Sequence, residues 1–412
     1  MSQSDNNDKE KLGLKKRLST AHILLYGVGT MLGAGIYVMV GKVAGYAGSL
    51  APLSFVIAGV LAGLTAYSYS LLAPRFPKSG GEIEYVRAAT HSKRLASMVG
   101  WGVIFTGIIS AAAISKGFVG YLDIFIEFPD WMVISIVIFI LSAIAIWGIG
   151  ESMAVIGIIT LIEVSGLIFI ISASGVSPSQ VGDHFAELFI NSPDNDIFSV
   201  FQGAFLAFFA FVGFEDLANI AEEAKNPKKS MPIALLGGLS IALILYILVA
   251  VVAVIALPLD VLTSTEAPMA EILSPKGEGY IYFIALISLI AVINGVLAQI
   301  IMGSRVLFGL ARQKSAPSFL KEVHQKFQTP IAATIIIGIA ITFLAIVVPI
   351  VNLANTTSYV IISVFVLVNF SQVILIYKDR KFRMFRTIKF WLPFLGGLLC
   401  LVFLSFKTFA LI

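Results

Sequence analysis

Four ionisable residues stand inside long apolar stretches of this chain: Lys116, Glu163, Glu215 and Asp216. A charge at the centre of a bilayer costs roughly 2.5–3.5 kcal/mol on insertion scales, so each calls for a chemical reason. Glu163, in TLIEVSGLIF, is too short to reach a membrane surface. Burial disfavours its ionised form, so it is expected to rest neutral and to take up and release a proton. The bland alternative is a protonated carboxyl that only holds helices together. Lys116, in AAAISKGFVGY, can extend to the interface; the sharper alternative is an ion pair with Glu163, which would weaken the proton-carrier reading. Glu215 and Asp216 close the stretch GAFLAFFAFVGFED near one end of its span, where an interfacial carboxylate is the plain reading. Asn294 and Gln299 are polar groups in another apolar run, able to hydrogen-bond within a bundle or to line a cavity.

Backbone can do chemistry too. Residues 27–41 read GVGTMLGAGIYVMVG, with glycine at 27, 29, 33, 35 and 41. Each interior glycine weakens a helix by roughly 1 kcal/mol relative to alanine. Irregular backbone at membrane depth survives only where protein or a water-filled cavity satisfies it. N–H groups near Gly33, Ala34 and Gly35 would head a half-helix and favour an anion such as a carboxylate. The stretch 203–216, with Gly203 and Gly213 around a phenylalanine-rich centre, would free carbonyls that accept from an ammonium group. Together they suit a zwitterion, a free amino acid. The plainer alternatives are that the glycines let helices approach closely, and that Phe205, Phe208, Phe209 and Phe211 simply pack.

The elements that must position these groups are membrane helices. The chain is 58% hydrophobic and 13% charged, against about 45–50% and 25% for soluble domains. Eleven apolar runs lie near 22–45, 50–73, 96–122, 131–149, 152–173, 197–218, 232–256, 280–303, 330–349, 355–377 and 390–410. Strands of a membrane barrel would be about half as long and would alternate in polarity. The expected fold is therefore an all-α polytopic membrane protein of about 11 helices. With a cytosolic N-terminus, the inner loops hold 24 of the 28 Lys and Arg residues, all but Lys42, Lys116, Lys276 and Lys407. The outer segment 174–196 carries Asp183, Glu187, Asp194 and Asp196 with no basic residue. That bias predicts a multi-pass protein of the cell membrane with its N-terminus in the cytosol and, after eleven spans, its C-terminus outside. Residues 1–21 read as a disordered cytosolic tail, 22–378 as the core with helices 1 to 10, and 379–412 as a basic cytosolic loop and helix 11. NPKKSMP (226–232) reads as a turn before the seventh helix, and SFLKEVHQKF (318–327) as a surface helix. His22, His91, His184 and His324 lie in or beside polar loops and suggest ordinary surface roles. The single cysteine, Cys400, excludes an internal disulfide and a cysteine-cluster metal site; no cofactor, metal or nucleic acid is expected. Monomer and homodimer both remain open.

Four motifs in order strengthen this picture: GVGTMLGAGIY in the first run, RFPKSGGEIEYVR (75–87), FFAFVGFEDLANIAEEAKNPKKSMP (208–232) and SRVLFGLARQKSAP (304–317). In these, over roughly residues 18–378, the chain resembles the amino acid–polyamine–organocation superfamily of permeases. The resemblance implies a five-plus-five inverted repeat, here about 22–173 and 197–377, with discontinuous helices 1 and 6 and a site between them. It implies that backbone N–H groups of Gly33, Ala34 and Gly35 take a substrate carboxylate. Carbonyls of Met31, Phe209 and Val212 would take the amine, with Phe209 as an aromatic gate. Ile36, Phe205 and Phe208 complete the expected substrate-binding set. Glu163, Glu215 and Lys116 form the expected coupling and gating set. Many relatives place a lysine at the Glu163 point of TxxKxxxL, where it replaces sodium and can cycle a proton; glutamate here inverts that charge. Relatives usually carry twelve helices rather than eleven.

The expected function is thus secondary transport of amino acids by alternating access, not enzymatic, with protons as the first coupling ion and sodium as the second. Ion-free exchange also fits. A polyamine or cationic amino acid carrier is the runner-up, because Glu163 and Glu215 could pair with a second ammonium. From another class, a transport-inactive sensor or scaffold would not need the glycine breaks or a buried ionisable residue.

Overall fold

In the computed structural model, residues 18–78, 80–147, 153–191, 197–324, 326–380 and 387–409 are described. Most of the expected N-terminal tail and the core of the basic loop after residue 380 fall outside them. Sixteen α-helices form among the described residues, in the order α1 Thr20–Ala34, α2 Ile36–Ala47, α3 Ala51–Leu72, α4 Gly81–Thr90, α5 Lys93–Leu122 and α6 Asp130–Trp147. After them come α7 Met153–Ala173, α8 Pro178–Asn191, α9 Ile197–Ala207, α10 Pro227–Ala256, α11 Leu259–Ser264 and α12 Pro268–Ile272. The chain closes with α13 Glu278–Arg312, α14 Ile331–Val347, α15 Ile350–Arg380 and α16 Ile388–Phe409. No strand forms among these residues, only an isolated bridge between Leu18 and Ala224. Local chemistry sets several helix starts. Ser19 Oγ accepts from the His22 amide at 3.4 Å and Ser92 Oγ from the Leu95 amide at 3.3 Å, each satisfying one orphan N–H.

Nine helical stretches among the described residues are long and apolar enough to cross a membrane; α14, at 17 residues, is shorter. The first expected span, 22–45, is broken at Gly35 into helices of 15 and 12 residues, and its second half runs on into α3. Apolar side chains cover much of the outside, as at Phe139 (75% exposed) on α6 and Phe343 (62%) on α14. A soluble protein would bury such rings, whereas lipid tails solvate them.

The packing has an internal correspondence. α3 lies on α10 and α5 on α13, while α1 meets α10 as α3 meets α9. In the same way α5 meets α15 as α13 meets α7, and α13 meets α6 as α5 meets α14. Each contact maps onto its mate when the first five spans are exchanged for the second five.

Three local expectations need correction. α10 starts at Pro227, so KKSMP is helical and Pro232 sits inside the helix; proline suits a first turn, where the N–H has no partner, and here it removes one hydrogen bond farther in. The segment after residue 174 carries a helix of its own, α8. The expected surface helix at 318–327 is reduced to a single 3-10 turn, Ser318–Lys321, after which Glu322 is extended and Gln328 turns with φ +56°.

Candidate substrate and coupling site

Two interruptions meet at the centre of the bundle. α1 stops at Ala34, the backbone turns at Gly35 (φ −128°, ψ −64°), and α2 resumes at Ile36. The Gly35 carbonyl accepts from the amides of Val38 (3.3 Å) and Met39 (2.8 Å), which satisfies two leading N–H groups of α2. In the sixth span α9 tightens into a 3-10 turn at Phe208–Phe211, Val212 is extended, Gly213 takes φ +122°, and Glu215–Glu223 winds as 3-10 helix. The breaks touch: a Cβ on Gly35 would stand 2.1 Å from Ala210 Cα, and one on Gly213 would stand 2.9 Å from the Thr30 carbonyl oxygen. Gly213 is required twice, for its left-handed backbone and for this approach.

Side chains rivet the crossing. Tyr246 Oη of α10 lies 2.8 Å from the Met31 carbonyl and 2.9 Å from that of Ala210, one on each broken helix. Thr30 Oγ1 lies 3.0 Å from the carbonyls of Gly27 and Gly213. Met31, Gly33, Gly35, Ile36, Phe209 and Val212 gather here, all buried. Ala34 is the last residue of α1. The Phe209 carbonyl accepts from the Val212 amide at 3.1 Å, so in this state it and the Met31 carbonyl are both engaged. Phe205 and Phe208 turn elsewhere: Phe205 packs on Phe403 with ring centroids 5.5 Å apart, and Phe208 on Phe365 at 6.0 Å. A Cβ on Gly33 would stand 2.7 Å from the Ala291 carbonyl oxygen and 2.9 Å from the Gly295 nitrogen of α13. Close packing is therefore a real part of what these glycines do.

Glu163 lies beside this crossing on α7, fully buried. Asn294 Nδ2 of α13 donates to its Oε1 at 2.9 Å, and its Oε2 has no hydrogen-bond partner. Tyr37 Oη of α2 donates to the Glu163 backbone carbonyl at 2.7 Å, and one turn away Thr160 Oγ1 donates to the Leu25 carbonyl of α1 at 3.1 Å. The carboxyl is thus bonded to α13, while its own helix is tied to α2 through the Glu163 backbone and to α1 through Thr160. Lys116 is half-buried on α5 and forms no ion pair with it; the pairing considered from the sequence is not made.

Glu215 and Asp216 belong to a separate buried group with Glu82 of α4. Gly213 N donates to Glu215 Oε2 at 2.9 Å, Gln299 Nε2 to Asp216 Oδ2 at 3.2 Å, and Tyr69 Oη to Glu82 Oε1 at 3.1 Å. α4 lies outside the membrane spans, and burial pushes the Glu82 carboxyl up to about 7, while the Tyr69 hydrogen bond pulls it down. At this same end a crevice lined by Leu18, Tyr26, Glu223 and Arg305 runs inward to Asn294. The opposite end is covered by α11 and α12, where Lys42 Nζ of α2 pairs with Glu266 Oε1 at 2.9 Å.

Tyr246, Tyr37 and Glu82 were missed as site residues. A tyrosine within SIALILYILVA carries no spacing signal, and Glu82 reads as a loop carboxylate until α4 is folded onto the sixth span.

The amino acid permease family model matches residues 18–411. Cationic amino acid transporter 2, vacuolar, of Arabidopsis thaliana is 28% identical over 393 residues, covering 91% of this chain and 62% of the relative. The branched-chain amino acid permease BcaP of Bacillus subtilis (strain 168) is 27% identical over 388 residues, covering 88% of this chain and 81% of the relative. The chain spans less than two thirds of the Arabidopsis transporters it matches, 60–64% of each. A family match over almost the whole length, on an all-helical bundle whose first and sixth spans break against each other, has one consequence: the chain belongs to the amino acid permease family.

Proposed function

We propose that the chain is a secondary transporter that moves amino acids across the cell membrane by alternating access, with Glu163 carrying the coupling proton. The observation that carries this reading is the Glu163 carboxyl itself, fully buried, with one donor on Oε1 and none on Oε2. An ionised carboxylate left with one donor in an apolar bundle costs far more than a neutral carboxylic acid in the same place, so burial favours the protonated form. Its hydrogen bond with Asn294 joins α7 of the first five spans to α13 of the second five, so gaining or losing a proton changes how α7 holds α13. The paired exchange of helix contacts supports two inverted repeats, 22–173 and 197–377. The distribution of Lys and Arg supports a cytosolic N-terminus, which makes the end holding Leu18, α4 and Arg305 the inner one.

The substrate binds at the two breaks, its carboxylate at the N-terminal end of α2 around Gly33, Ala34 and Gly35, its ammonium at the carbonyls of Met31, Phe209 and Val212. Binding then requires the Tyr246 hydroxyl to give up Met31. Glu215 and Asp216 are engaged with Gly213 and Gln299, so the centre favours an uncharged side chain, and BcaP, by its name, is a branched-chain amino acid permease. A cationic amino acid is the second reading, favoured by the unpartnered Glu163 Oε2; the similar Arabidopsis proteins are named cationic amino acid transporters. Sodium is the second choice of coupling ion, since a carboxylate can also serve as its ligand.

The test is reconstitution into liposomes with and without a pH gradient. Glu163→Gln is expected to lose gradient-driven accumulation of labelled L-leucine while retaining leucine–leucine exchange. Accumulation by Glu163→Gln that still follows the pH gradient would remove the proton role, and no uptake or exchange of L-leucine or L-lysine by the wild type would favour a sensor or scaffold.

A further inference from the structure

The outer half of the first span is pressed against the cover of the bundle. A Cβ on Gly41 of α2 would stand 2.3 Å from the Leu262 carbonyl oxygen of α11, and one on Gly120 of α5 would stand 2.7 Å from the Glu266 carbonyl oxygen. Lys42 of α2 pairs with the same Glu266 at 2.9 Å. Contacts this close transmit displacement from one backbone to the next. A buried train of hydrogen bonds then leads from the cover to α7. The Met269 amide of α12 donates to Tyr121 Oη at 3.4 Å, Tyr121 Oη donates to the Tyr37 carbonyl at 2.5 Å, and Tyr37 Oη donates to the Glu163 carbonyl at 2.7 Å.

We infer that Tyr37 and Tyr121 are positioning residues that tie the outer cover to Glu163, so that opening the cover and admitting water to the carboxyl are one event. The inference rests on the proton-carrier reading and deepens it. Its first support is place. Tyr37 follows Ile36, the first residue of α2, so its hydroxyl travels with the half-helix that begins at the Gly35 break. Its second support is fit. Gly166, one turn beyond Glu163, leaves room for that hydroxyl: a Cβ there would stand 3.0 Å from Tyr37 Oη. Its third support is burial. Both tyrosines are fully buried, so a hydroxyl drawn off its carbonyl leaves unpaired polar groups in an apolar bundle. The links therefore hold or break together.

The surroundings of Glu163 leave water access as the main control on its proton. Tyr37 faces it from α2, Tyr246 from α10 and Asn294 from α13, while α1 meets its helix through the Leu25 carbonyl. None of the ion pairs among the described residues involves it. With the cover closed, Tyr37 fixes the turn of α7 that carries the carboxyl, and Asn294 meets Oε1. As the cover opens, α2 draws the Tyr37 hydroxyl away and the turn is released. Water that reaches the carboxyl then favours its ionised form.

The test is the pH profile of labelled L-leucine uptake into liposomes for Tyr37→Phe, Glu266→Gln and the double variant. Glu266→Gln removes an exposed ion pair of the cover and biases the bundle toward an open outer end up to about fivefold. By linkage this moves the midpoint of the profile to lower pH by up to about 0.7 unit. Tyr37→Phe keeps the ring and loses the hydroxyl; it is expected to move the midpoint the same way, and Glu266→Gln is expected to add nothing in that background. Tyr121→Phe breaks the other link with the same result, which guards against a folding failure of Tyr37→Phe. A midpoint unmoved in Tyr37→Phe, or shifts that add in the double variant, would overturn the inference while the proton role of Glu163 stands. If wild-type accumulation follows no pH gradient, the proton-carrier reading itself fails and this inference falls with it.

Discussion

Glu82 and Glu163 are both buried carboxyls, yet their settings differ. Glu163 sits at membrane depth between two helices of opposite halves, while Glu82 sits on α4 beyond the spans, with Tyr69 as its donor. Burial raises Glu82 to about 7 from an ordinary value of 4.5. The folded state therefore binds this proton more tightly than the unfolded chain. Its stabilisation is full below about pH 4.5 and is lost as pH rises through 7, a loss on the order of 3 kcal/mol. In detergent, the wild-type Tm is expected to fall between pH 5 and pH 8, and Glu82→Gln to flatten that slope; parallel slopes would show that Glu82 is not the source. The groups around it are Tyr69 of α3, Tyr85 of its own helix, and Glu215 and Asp216 of the sixth span, while Lys378 of α15 is bound to the Ala89 carbonyl and the His91 ring at the far end of α4. Tyr246→Phe tests the rivet at the crossing. Loss of a buried hydroxyl that serves two carbonyls is expected to lower stability by about 1–3 kcal/mol, read as a reduced Tm.

At the scale of elements, glycines that look alike in sequence have unlike duties. A Cβ on Gly35 would enter Ala210, backbone included, whereas one on Gly309, near the end of α13, meets nothing within 4 Å. Gly35→Ala is therefore expected to abolish transport and lower Tm, and Gly309→Ala to raise stability by up to about 1 kcal/mol through helix propensity. Expression, Tm and uptake of the two variants together distinguish a glycine that lets two helices touch from one that merely occupies a helical turn. Gly33 faces the backbone of α13, so a bulky substitution there disturbs packing as well as binding and is a poor test of substrate contact. The span positions and the place of the first break were legible in GVGTMLGAGIYVMVG, because apolar length and glycine density are local properties. That Phe205 and Phe208 turn toward α16 and α15 was not legible, because the direction of a ring depends on how the 3-10 turn at Phe208–Phe211 rotates the chain.

For the whole molecule, the ends of the bundle differ. One is covered by α11 and α12 and tied by Lys42–Glu266, while the other holds the crevice. Glu266 is 59% exposed, so the pair is worth at most about 1 kcal/mol. That is too little to change folding and enough to shift an equilibrium between closed and open ends about fivefold. The native chain has a single cysteine, Cys400, which is buried, so a cysteine introduced at Val38 reports on this end. Glu266→Gln is expected to speed maleimide labelling of Val38→Cys up to about fivefold, and an unchanged rate would mean that the pair does not hold the cover.

The sequence by itself determined that this is a helical membrane protein of permease type with a broken first helix and a glutamate buried in the fifth span. Those features are written in runs, spacings and motifs of neighbouring residues. Only the tertiary structure decided which groups meet: Asn294 on Glu163, Tyr246 across both breaks, Glu82 with Glu215 and Asp216, and Arg305 with Glu223 in one crevice. Each of these meetings joins residues 36 to 215 positions apart in the chain. A partner so remote is fixed by the three-dimensional crossing of helices, and single-sequence periodicity reports only which face of a helix is apolar.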